Sequence, residues 1–392
     1  MKIIDLIEYK PQFVPRERIP EPVVEELQRK YSSQVALDLR YSQTGDRWQL
    51  TSQGWVGHIP LTSELHLALH PKVQLSNLFG MLEYAYNLKS FRFLDGLIDC
   101  KSLEEFYSQL THVLAQRILN RCRQGLYRAY LPKTDRLAYI RGRMDVRQSI
   151  QKAWEVKLKC HYEEHTADIE ENQILAWTLF IIGRSGLCSE RLSSKVRQGY
   201  HALQGCVTLK SYSSEDCIGR QYNRLNEDYR LLHALCRFFL DNTGPSHERG
   251  NNTMLPFLVD MARLYELFVS EWLKENLPKG FFIKAQHQVN IGQNRHFRID
   301  LLLCDVETGE SLAVLDTKYK VPDKAAIADI HEMVSHSLAT KCNQTILIYP
   351  NPLDEPLDVK INHIRIRSLT FSIDGNLHLS GQYFLKSFLA LS

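Results

Sequence analysis

The sequence predicts an α+β protein of several domains, with a β-rich N-terminal region, a helical middle region and a C-terminal α/β core that carries a mixed sheet. Three observations lead to this fold class. The chain has 392 residues, and domains commonly hold about 100–200 residues each. Hydrophobic residues make up 44% and charged residues 24% of the chain, which is typical of globular proteins. The spacing of apolar residues changes along the chain, so distinct regions are expected.

The first region, residues 1–95, is predicted to be rich in β-strands. Apolar and polar residues alternate at 35–40 and at 65–70, which is typical of half-buried strands. Turn-forming residues such as Thr44-Gly45-Asp46 separate the runs. A helix is expected to begin near Ser76-Asn77.

The second region, residues 96–250, is predicted to be helical, because apolar residues between 103 and 114 recur at spacings of three and four. Its charge is uneven. The segment 117–159 holds twelve Lys or Arg and three Asp or Glu, and five acids follow at 163–171. The basic segment suits contact with phosphates, and it equally suits a solvated helix surface that pairs with those acids. The polar stretch 241–252 predicts a linker.

The third region, residues 251–392, shows an alternation of helical and extended patterns. This order, α-β-β-β-α-β, predicts an α/β core with a mixed sheet. The predicted elements are a helix at 258–277, strands at 281–291, 297–305 and 311–320, a helix at 324–338 and a strand at 345–349.

Composition and missing motifs exclude several classes of protein. The formal net charge is only +3, although this total hides the basic segment. No apolar run approaches the ~18 residues of a membrane span, and acids interrupt the N-terminus where a signal peptide would be apolar. Nine cysteines without a CxxC pair suggest reduced thiols in a cytoplasmic protein. Without a GxxxxGK[ST] motif, the chain is expected to bind no nucleotide itself.

Two acids interrupt apolar strands in the third region. Asp is disfavoured in strands and is rarely buried without a partner, so Asp300 and Asp316 need an explanation. A turn symmetric about Thr308 would place the two carboxylates opposite each other on adjacent strands, about 5 Å apart. Lys318 would project from the same face as Asp316, since side chains two apart share a face.

This cluster suits the hydrolysis of a phosphodiester. Two carboxylates this close repel each other and attract a divalent cation, and their hard oxygen ligands suit Mg²⁺, with Mn²⁺ as the alternative. Such a metal can polarise the phosphodiester and bind the attacking water, while a lysine orients that water or stabilises charge on the phosphate. An ion pair that merely joins two strands is the alternative interpretation.

The same residues resemble a known motif. Asp300…Asp316-Thr317-Lys318 is similar to the PD-(D/E)xK nuclease motif, with Ile299 in place of its common proline. More narrowly, the chain resembles the McrC family, the nuclease subunits of McrBC-type 5-methylcytosine-specific restriction systems. The further segments that resemble this family are Leu69–Val73, Asn77–Ala85, Arg141–Arg143, Asp168–Asn172, Asp329–Met333 and Leu347–Pro350.

The resemblance implies roles for individual residues. Asp300 and Asp316 would hold the metal, Lys318 would assist hydrolysis, and the backbone carbonyl of Thr317 would add a metal ligand. Glu266 matches an acid on the preceding helix that would bind the metal through water, and a solvated or capping acid is its alternative interpretation.

Two positions depart from the family pattern. The helix after the lysine usually carries Gln followed four residues later by Tyr, and Glu332 and His336 occupy these positions. Glu332 is either an accessory third carboxylate or a solvated side chain. His331 and His336 are five residues apart, whereas a zinc-binding HExxH helix needs a spacing of four, so no zinc site is expected.

The resemblance also implies a function and partners. It implies a DNA endonuclease that is active together with an McrB-like AAA+ GTPase hexamer. The hexamer would recognise methylated DNA, and residues 1–95 of this chain would dock in the pore of the hexamer and stimulate its GTPase activity. Double-stranded DNA would be the substrate, and no membrane is involved. Arg141 and Arg143 are expected to contact DNA or the partner, because Gly142 between them allows close backbone approach. A non-catalytic adaptor of an NTPase ring and a stand-alone repair nuclease are the alternatives.

Overall fold

The structure is a computed structural model that describes residues 2–41, 45–62, 65–88, 102–151, 154–185, 190–244, 247–249, 252–254, 256–292, 295–320 and 322–390. It divides into two compact units, one formed by residues 1–106 with 242–392 and the other by residues 107–241. The predicted boundaries at 95 and 250 describe a finer, three-part division, which stays a prediction.

The secondary structure mixes strands and helices along the whole chain. The strands are β1 (Lys2–Ile7), β2 (Gln12–Pro15), β3 (Val35–Arg40), β4 (Arg47–Ser52), β5 (Trp55–Pro60), β6 (Leu65–His70), β7 (Ala129–Leu137), β8 (Arg143–Met144), β9 (Leu158–Thr166), β10 (His247–Arg249), β11 (Asn252–Met254), β12 (Phe257–Asp260), β13 (Phe281–Gly292), β14 (Arg295–Asp305), β15 (Ser311–Thr317), β16 (Gln344–Tyr349), β17 (Asp358–Ile361) and β18 (Ile364–Thr370). The helices are α1 (Glu21–Tyr31), α2 (Leu75–Ala85), α3 (Leu103–Gln124), α4 (Val146–Gln151), α5 (Glu170–Ile182), α6 (Glu190–Gln204), α7 (Tyr229–Asp241), α8 (Met261–Asn276), α9 (Ile327–Thr340) and α10 (Leu377–Leu389). An α+β organisation is therefore confirmed. No helix in the described ranges is long and apolar enough to cross a membrane.

The N-terminal region builds two small sheets, as predicted. One has the order β1-β6-β5-β12 and the other β2-β4-β3. Their alternating apolar side chains form a shared core with α1, because each strand turns one face inward. The helix expected near residue 76 is α2. Part of the predicted linker, residues 245, 246, 250 and 251, lies outside the described residues, and β10 occupies 247–249 within it.

The first of these sheets includes a strand from the C-terminal part of the chain. Strand β12 pairs antiparallel with β5, with Leu258 opposite Gly57. Gly57 has a φ of +143°, and a Cβ there would lie 2.0 Å from the carbonyl oxygen of Phe257. Glycine is therefore required for the two strands to approach.

The C-terminal core confirms the predicted order of elements and the mixed sheet. The sheet runs β13-β14-β15-β16-β18-β17. Its first three strands are antiparallel, whereas β15, β16 and β18 are parallel neighbours. On α8, the rings of Phe268 and Trp272 pack against Phe371, which stacks on Phe384 of α10. Strands β17 and β18 and helix α10 extend beyond the predicted elements.

The second unit contains a sheet that the sequence analysis did not predict. Strands β7, β9 and β8 form it within the region expected to be helical, so the helical prediction is wrong for residues 129–137, 143–144 and 158–166. Most side chains of β7 are exposed or half-buried, so the strand lacks the apolar alternation that would have identified it. The basic segment is thus only partly a helix surface, because 117–124 and 146–151 lie in α3 and α4 whereas 129–137 and 143–144 lie in β7 and β8. Its pairing with acids is real: Lys133 lies 3.0 Å from Glu164.

The motif at 168–172 has a structural role in this unit. Asn172 is fully buried and donates hydrogen bonds to the carbonyl oxygens of Tyr127 (2.9 Å) and Ala167 (2.7 Å). The hydroxyl of Tyr229 donates to its side-chain oxygen at 2.6 Å. Asp168 accepts a hydrogen bond from the backbone N–H of Thr208 at 2.7 Å. These contacts fix the start of α5.

Candidate active site

The hairpin of β14 and β15 has the register that the sequence predicted. Leu301 pairs with Leu315, and the next two pairs toward the turn keep the same register. The register shifts by one only beside the turn, where Cys304 pairs with Ser311. Asp300 and Asp316 follow directly beyond the Leu301–Leu315 pair and so lie side by side on adjacent strands.

Asp316 forms an ion pair with Lys318, and Asp300 is hydrogen-bonded to Thr317, the residue before Lys318. Asp316 is only 3% exposed, and its Oδ2 lies 2.8 Å from the Nζ of Lys318. The same ammonium donates to the Oε2 of Glu332 on α9 at 2.9 Å. Asp300 accepts a hydrogen bond from the backbone N–H of Thr317 at 3.3 Å. Glu332 therefore contacts this cluster while its side chain is 45% exposed. Its role as an accessory carboxylate stays a prediction.

The two aspartates lie close together, and their burial and mutual repulsion disfavour the charged form of each carboxyl group. Burial and the neighbouring charge of Asp300 raise the pKa of Asp316 to about 7. Burial also raises the pKa of Asp300, against the effects of the Thr317 hydrogen bond and the Lys318 charge. Burial favours the neutral form of Lys318, but the adjacent Asp316 carboxylate leaves the lysine pKa above its ordinary value. The lysine therefore stays positively charged.

Helix α8 brings a third acid toward the cluster. Burial, followed by the charge of Asp300, raises the pKa of Glu266 to about 7, and Arg298 opposes this shift. The Oε1 of Glu266 accepts a hydrogen bond from Gln286, whose own side-chain oxygen accepts one from Arg298. Glu266 is thus hydrogen-bonded beside the aspartates and is not a solvated surface acid.

Sequence reasoning missed Gln286 and Arg298. Gln286 has a φ of +51° and interrupts the pairing of β13 with β14 between Ala285 and His287, so its position depends on a local irregularity with no sequence signal. A signal did exist for Arg298. It is two residues before Asp300 in a strand and therefore projects from the same face.

Two further contacts on α9 complete the surroundings. His336 is 5% exposed, and its ring lies 5.3 Å from that of Phe297. Burial lowers the pKa of this histidine, so it is neutral at neutral pH. Asp329, near the start of the helix, lies 2.6 Å from the Nζ of Lys320. The first contact fixes α9 against β14, and the second fixes it against the segment that follows β15.

The donor groups at this site fit a hydrated divalent cation. In the described part of the chain, no group of three His, Cys, Asp or Glu side chains is arranged to hold a metal. The predicted direct ligands differ from such a group, because they are two carboxylates, Asp300 and Asp316, and the backbone carbonyl of Thr317, with Glu266 predicted to bind the metal through water. Mg²⁺ commonly keeps several waters and binds one or two carboxylates. A cation would also relieve the repulsion that raises the carboxyl pKa values.

Arg141 and Arg143 belong to the other unit. The guanidinium of Arg141 lies 4.1 Å from the ring centroid of Tyr162 and 3.7 Å from Glu164. Gly142 has a φ of +69°, and a Cβ there would lie 2.4 Å from the carbonyl oxygen of His161. The close approach that this glycine allows is therefore to β9 of the same chain. Contact of the two arginines with DNA or a partner stays a prediction.

Comparisons with known proteins identify the family. A sequence profile described as "McrBC 5-methylcytosine restriction system component" matches residues 50–350. The type IV methyl-directed restriction enzyme EcoKMcrBC of Escherichia coli (strain K12) is 21% identical over 265 residues, which are 64% of this chain and 74% of that protein. A half-complex of Thermococcus gammatolerans McrB AAA+ hexamers with bound McrC contains a chain that is 15% identical, with a TM-score of 0.53 and 100% coverage of both chains. This last likeness concerns the fold alone. The resemblance found in the sequence is confirmed at the level of the family, and the chain belongs to the McrBC 5-methylcytosine restriction system components.

Proposed function

We propose that this chain is the DNA endonuclease subunit of a modification-dependent, methylcytosine-directed restriction system, and that its C-terminal core is a PD-(D/E)xK nuclease domain. The observation that carries the proposal is the cluster of Asp300, Asp316 and Lys318 at the end of the β14–β15 hairpin. Adjacent strands supply the two acids, and the lysine ion pair is 2.8 Å long. A pair that only joined strands would not need a second carboxylate at the same place.

Each residue of the site would have a different role in hydrolysis. Mg²⁺ bound by Asp300, Asp316 and the Thr317 carbonyl would supply Lewis acidity toward the scissile phosphate. Lys318 keeps its charge between Asp316 and Glu332, so it can bind a phosphate oxygen or orient the attacking water. Glu266, which is hydrogen-bonded to Gln286 beside the aspartates, would bind the metal through a water molecule.

A partner is part of the proposal. The Thermococcus gammatolerans relative is described as McrC bound to McrB AAA+ hexamers, and we infer a ring-forming AAA+ GTPase of the same kind for this chain. Residues 1–95 would dock on that ring and stimulate its GTPase. Recognition of the modified base in double-stranded DNA would belong to the partner, and the complex would act in the cytoplasm.

Cleavage assays with two site variants test the nuclease. Asp316→Ala and Lys318→Ala are assayed with the AAA+ partner, GTP, Mg²⁺ and methylated DNA. We expect each to cut at least about a hundredfold more slowly than the wild type, because Asp316→Ala removes a proposed metal ligand and Lys318→Ala removes a positive charge beside the reacting phosphate. Asp354→Ala, which changes an exposed acid of the same unit, is the matched control and should cut normally.

The other outcomes separate the alternatives. If the wild type and both site variants cut equally well, the site assignment is wrong. A wild type that never cuts but raises the partner's GTPase activity would favour the adaptor. Cutting without any partner would favour the stand-alone nuclease.

A further inference from the structure

A buried carboxylate from the N-terminal region contacts the residue that follows Lys318. Glu8 lies directly after β1 and is 1% exposed. Its Oε2 accepts a hydrogen bond of 3.1 Å from the hydroxyl of Tyr319, 311 positions away in the chain. The hydrolysis described above uses neither side chain, so this contact needs a separate explanation.

The N-terminal sheet fixes the position of Glu8. Its backbone N–H donates to the carbonyl oxygen of His70 at 3.0 Å, and its carboxylate accepts a hydrogen bond of 3.4 Å from the backbone N–H of Lys72. Because β1 and β6 are parallel neighbours, Glu8 and Lys72, which follow these strands, lie at the same end of the sheet. The sheet therefore determines where the carboxylate lies.

Tyr319 is fixed from several sides. It is 6% exposed, and its ring centroid lies 6.0 Å from that of Tyr265, the residue before Glu266. The ammonium of Lys72 lies 5.3 Å from the centroid of the Tyr319 ring. The backbone N–H of Lys318 donates to the carbonyl oxygen of Ile348 at 2.9 Å. A shift of Tyr319 would therefore move Lys318, which is covalently joined to it.

Burying the carboxylate of Glu8 costs free energy that its hydrogen bond to Tyr319 only partly offsets. The second carboxylate oxygen of Glu8, Oε1, is buried and has no hydrogen-bond partner among the described residues. Burial raises the pKa of Glu8 and, together with the charge of Glu8, that of Tyr319. Buried ionic groups often stabilise a fold less than apolar residues of the same size. The burial of both groups here favours a role in geometry over a role in stability.

We propose that Glu8 and Tyr319 are positioning residues that hold Lys318 in place from the N-terminal sheet. The inference rests on the proposed nuclease function. It makes the geometry of the cleavage site depend on the region that is proposed to dock on the AAA+ partner.

Conservative variants of the full chain test the inference, with partner, GTP and saturating Mg²⁺. Tyr319→Phe removes only the hydroxyl, and we expect single-turnover cleavage to slow by about ten- to a hundredfold, the effect of a misplaced catalytic group. Glu8→Gln keeps an oxygen in the Oε2 position and should stay within about threefold of the wild-type rate. Stimulation of the partner's GTPase should be unchanged in both variants.

A matched control separates positioning from a general loss of packing. Tyr86→Phe removes another buried hydroxyl of the same unit, one that accepts a hydrogen bond from Asn242 at 3.1 Å. We expect it to lower the thermal midpoint about as much as Tyr319→Phe while leaving the cleavage rate unchanged. Equal slowing by the two tyrosine variants would overturn the inference.

The remaining outcomes distinguish this inference from the proposed function. If Lys318→Ala abolishes cleavage but Tyr319→Phe cuts at the wild-type rate, the positioning role is refuted and the proposed nuclease function stands. A wild type that never cuts would refute the nuclease, and the positioning role with it.

Discussion

Replacement of Asp316 by Asn should change how the stability of the metal-free protein depends on pH. The groups that face this carboxyl are Asp300 on β14, Glu266 on α8, Glu332 on α9 and the adjacent Lys318. Because burial and repulsion raise its pKa to about 7 from 3.8, the folded protein keeps a proton that the unfolded chain has already lost. The free energy of unfolding of the wild type therefore falls as pH rises through this window.

The structure sets the size of the effect. A pKa difference between 3.8 and about 7 corresponds to at most about 4 kcal/mol, at about 1.36 kcal/mol for each tenfold change. Asp300 takes part in the same titration, and Lys318 remains beside the ionised carboxylate. At most about 2.7 kcal/mol of that limit falls between pH 5 and pH 8, and we expect about half of this part, so Asp316→Asn should lose roughly 1 kcal/mol less than the wild type over this range.

Urea unfolding in EDTA, followed by tryptophan fluorescence at pH 5 and pH 8, measures this difference. Asp354→Asn, an exposed acid in the same unit, is the control and should show the pH dependence of the wild type. If Asp316→Asn loses as much stability as the wild type between the two pH values, then Asp316 is not a strained carboxylate, and the electrostatic argument for a cation at this site fails.

Two further predictions concern the scaffold. Gly57→Ala should destabilise the protein by about 3 kcal/mol or more, because the new Cβ would lie 2.0 Å from the Phe257 carbonyl oxygen; a thermal midpoint within about 2 °C of the wild type would contradict this. Asn172→Ala should cost about 2 kcal/mol, because it removes the acceptor of the Tyr229 hydroxyl and the amide donor to the carbonyl oxygens of Tyr127 and Ala167; urea unfolding measures the loss, and a value below about 1 kcal/mol would show that water replaces the amide.

Local patterns were sufficient to predict the centre of the candidate site. The turn around Thr308 and the alternation of apolar residues determine the register of a hairpin, so the neighbouring positions of Asp300 and Asp316 followed from the sequence. The ion pair of Lys318 with Glu332 did not, because it depends on how α9 packs against the sheet.

Long-range and irregular features escaped prediction. The contact between Glu8 and Tyr319 joins residues 311 positions apart, and neither residue belongs to a pattern that indicates the other. Gln286 reaches Glu266 from an irregular point of β13. The sheet of the second unit was missed because its strands are largely exposed, so their sequences lack the alternation of apolar and polar residues that identifies a half-buried strand.

The pairing of β5 with β12 has a consequence for folding during synthesis. Val56 pairs with Val259, so the edge of β5 has no partner strand until more than two hundred further residues have been made. An unpaired edge of this kind favours aggregation, and contacts between such distant residues slow folding. A fragment that ends near residue 95 would keep this edge uncovered, and its failure to bind a ring would say little about docking by the intact chain.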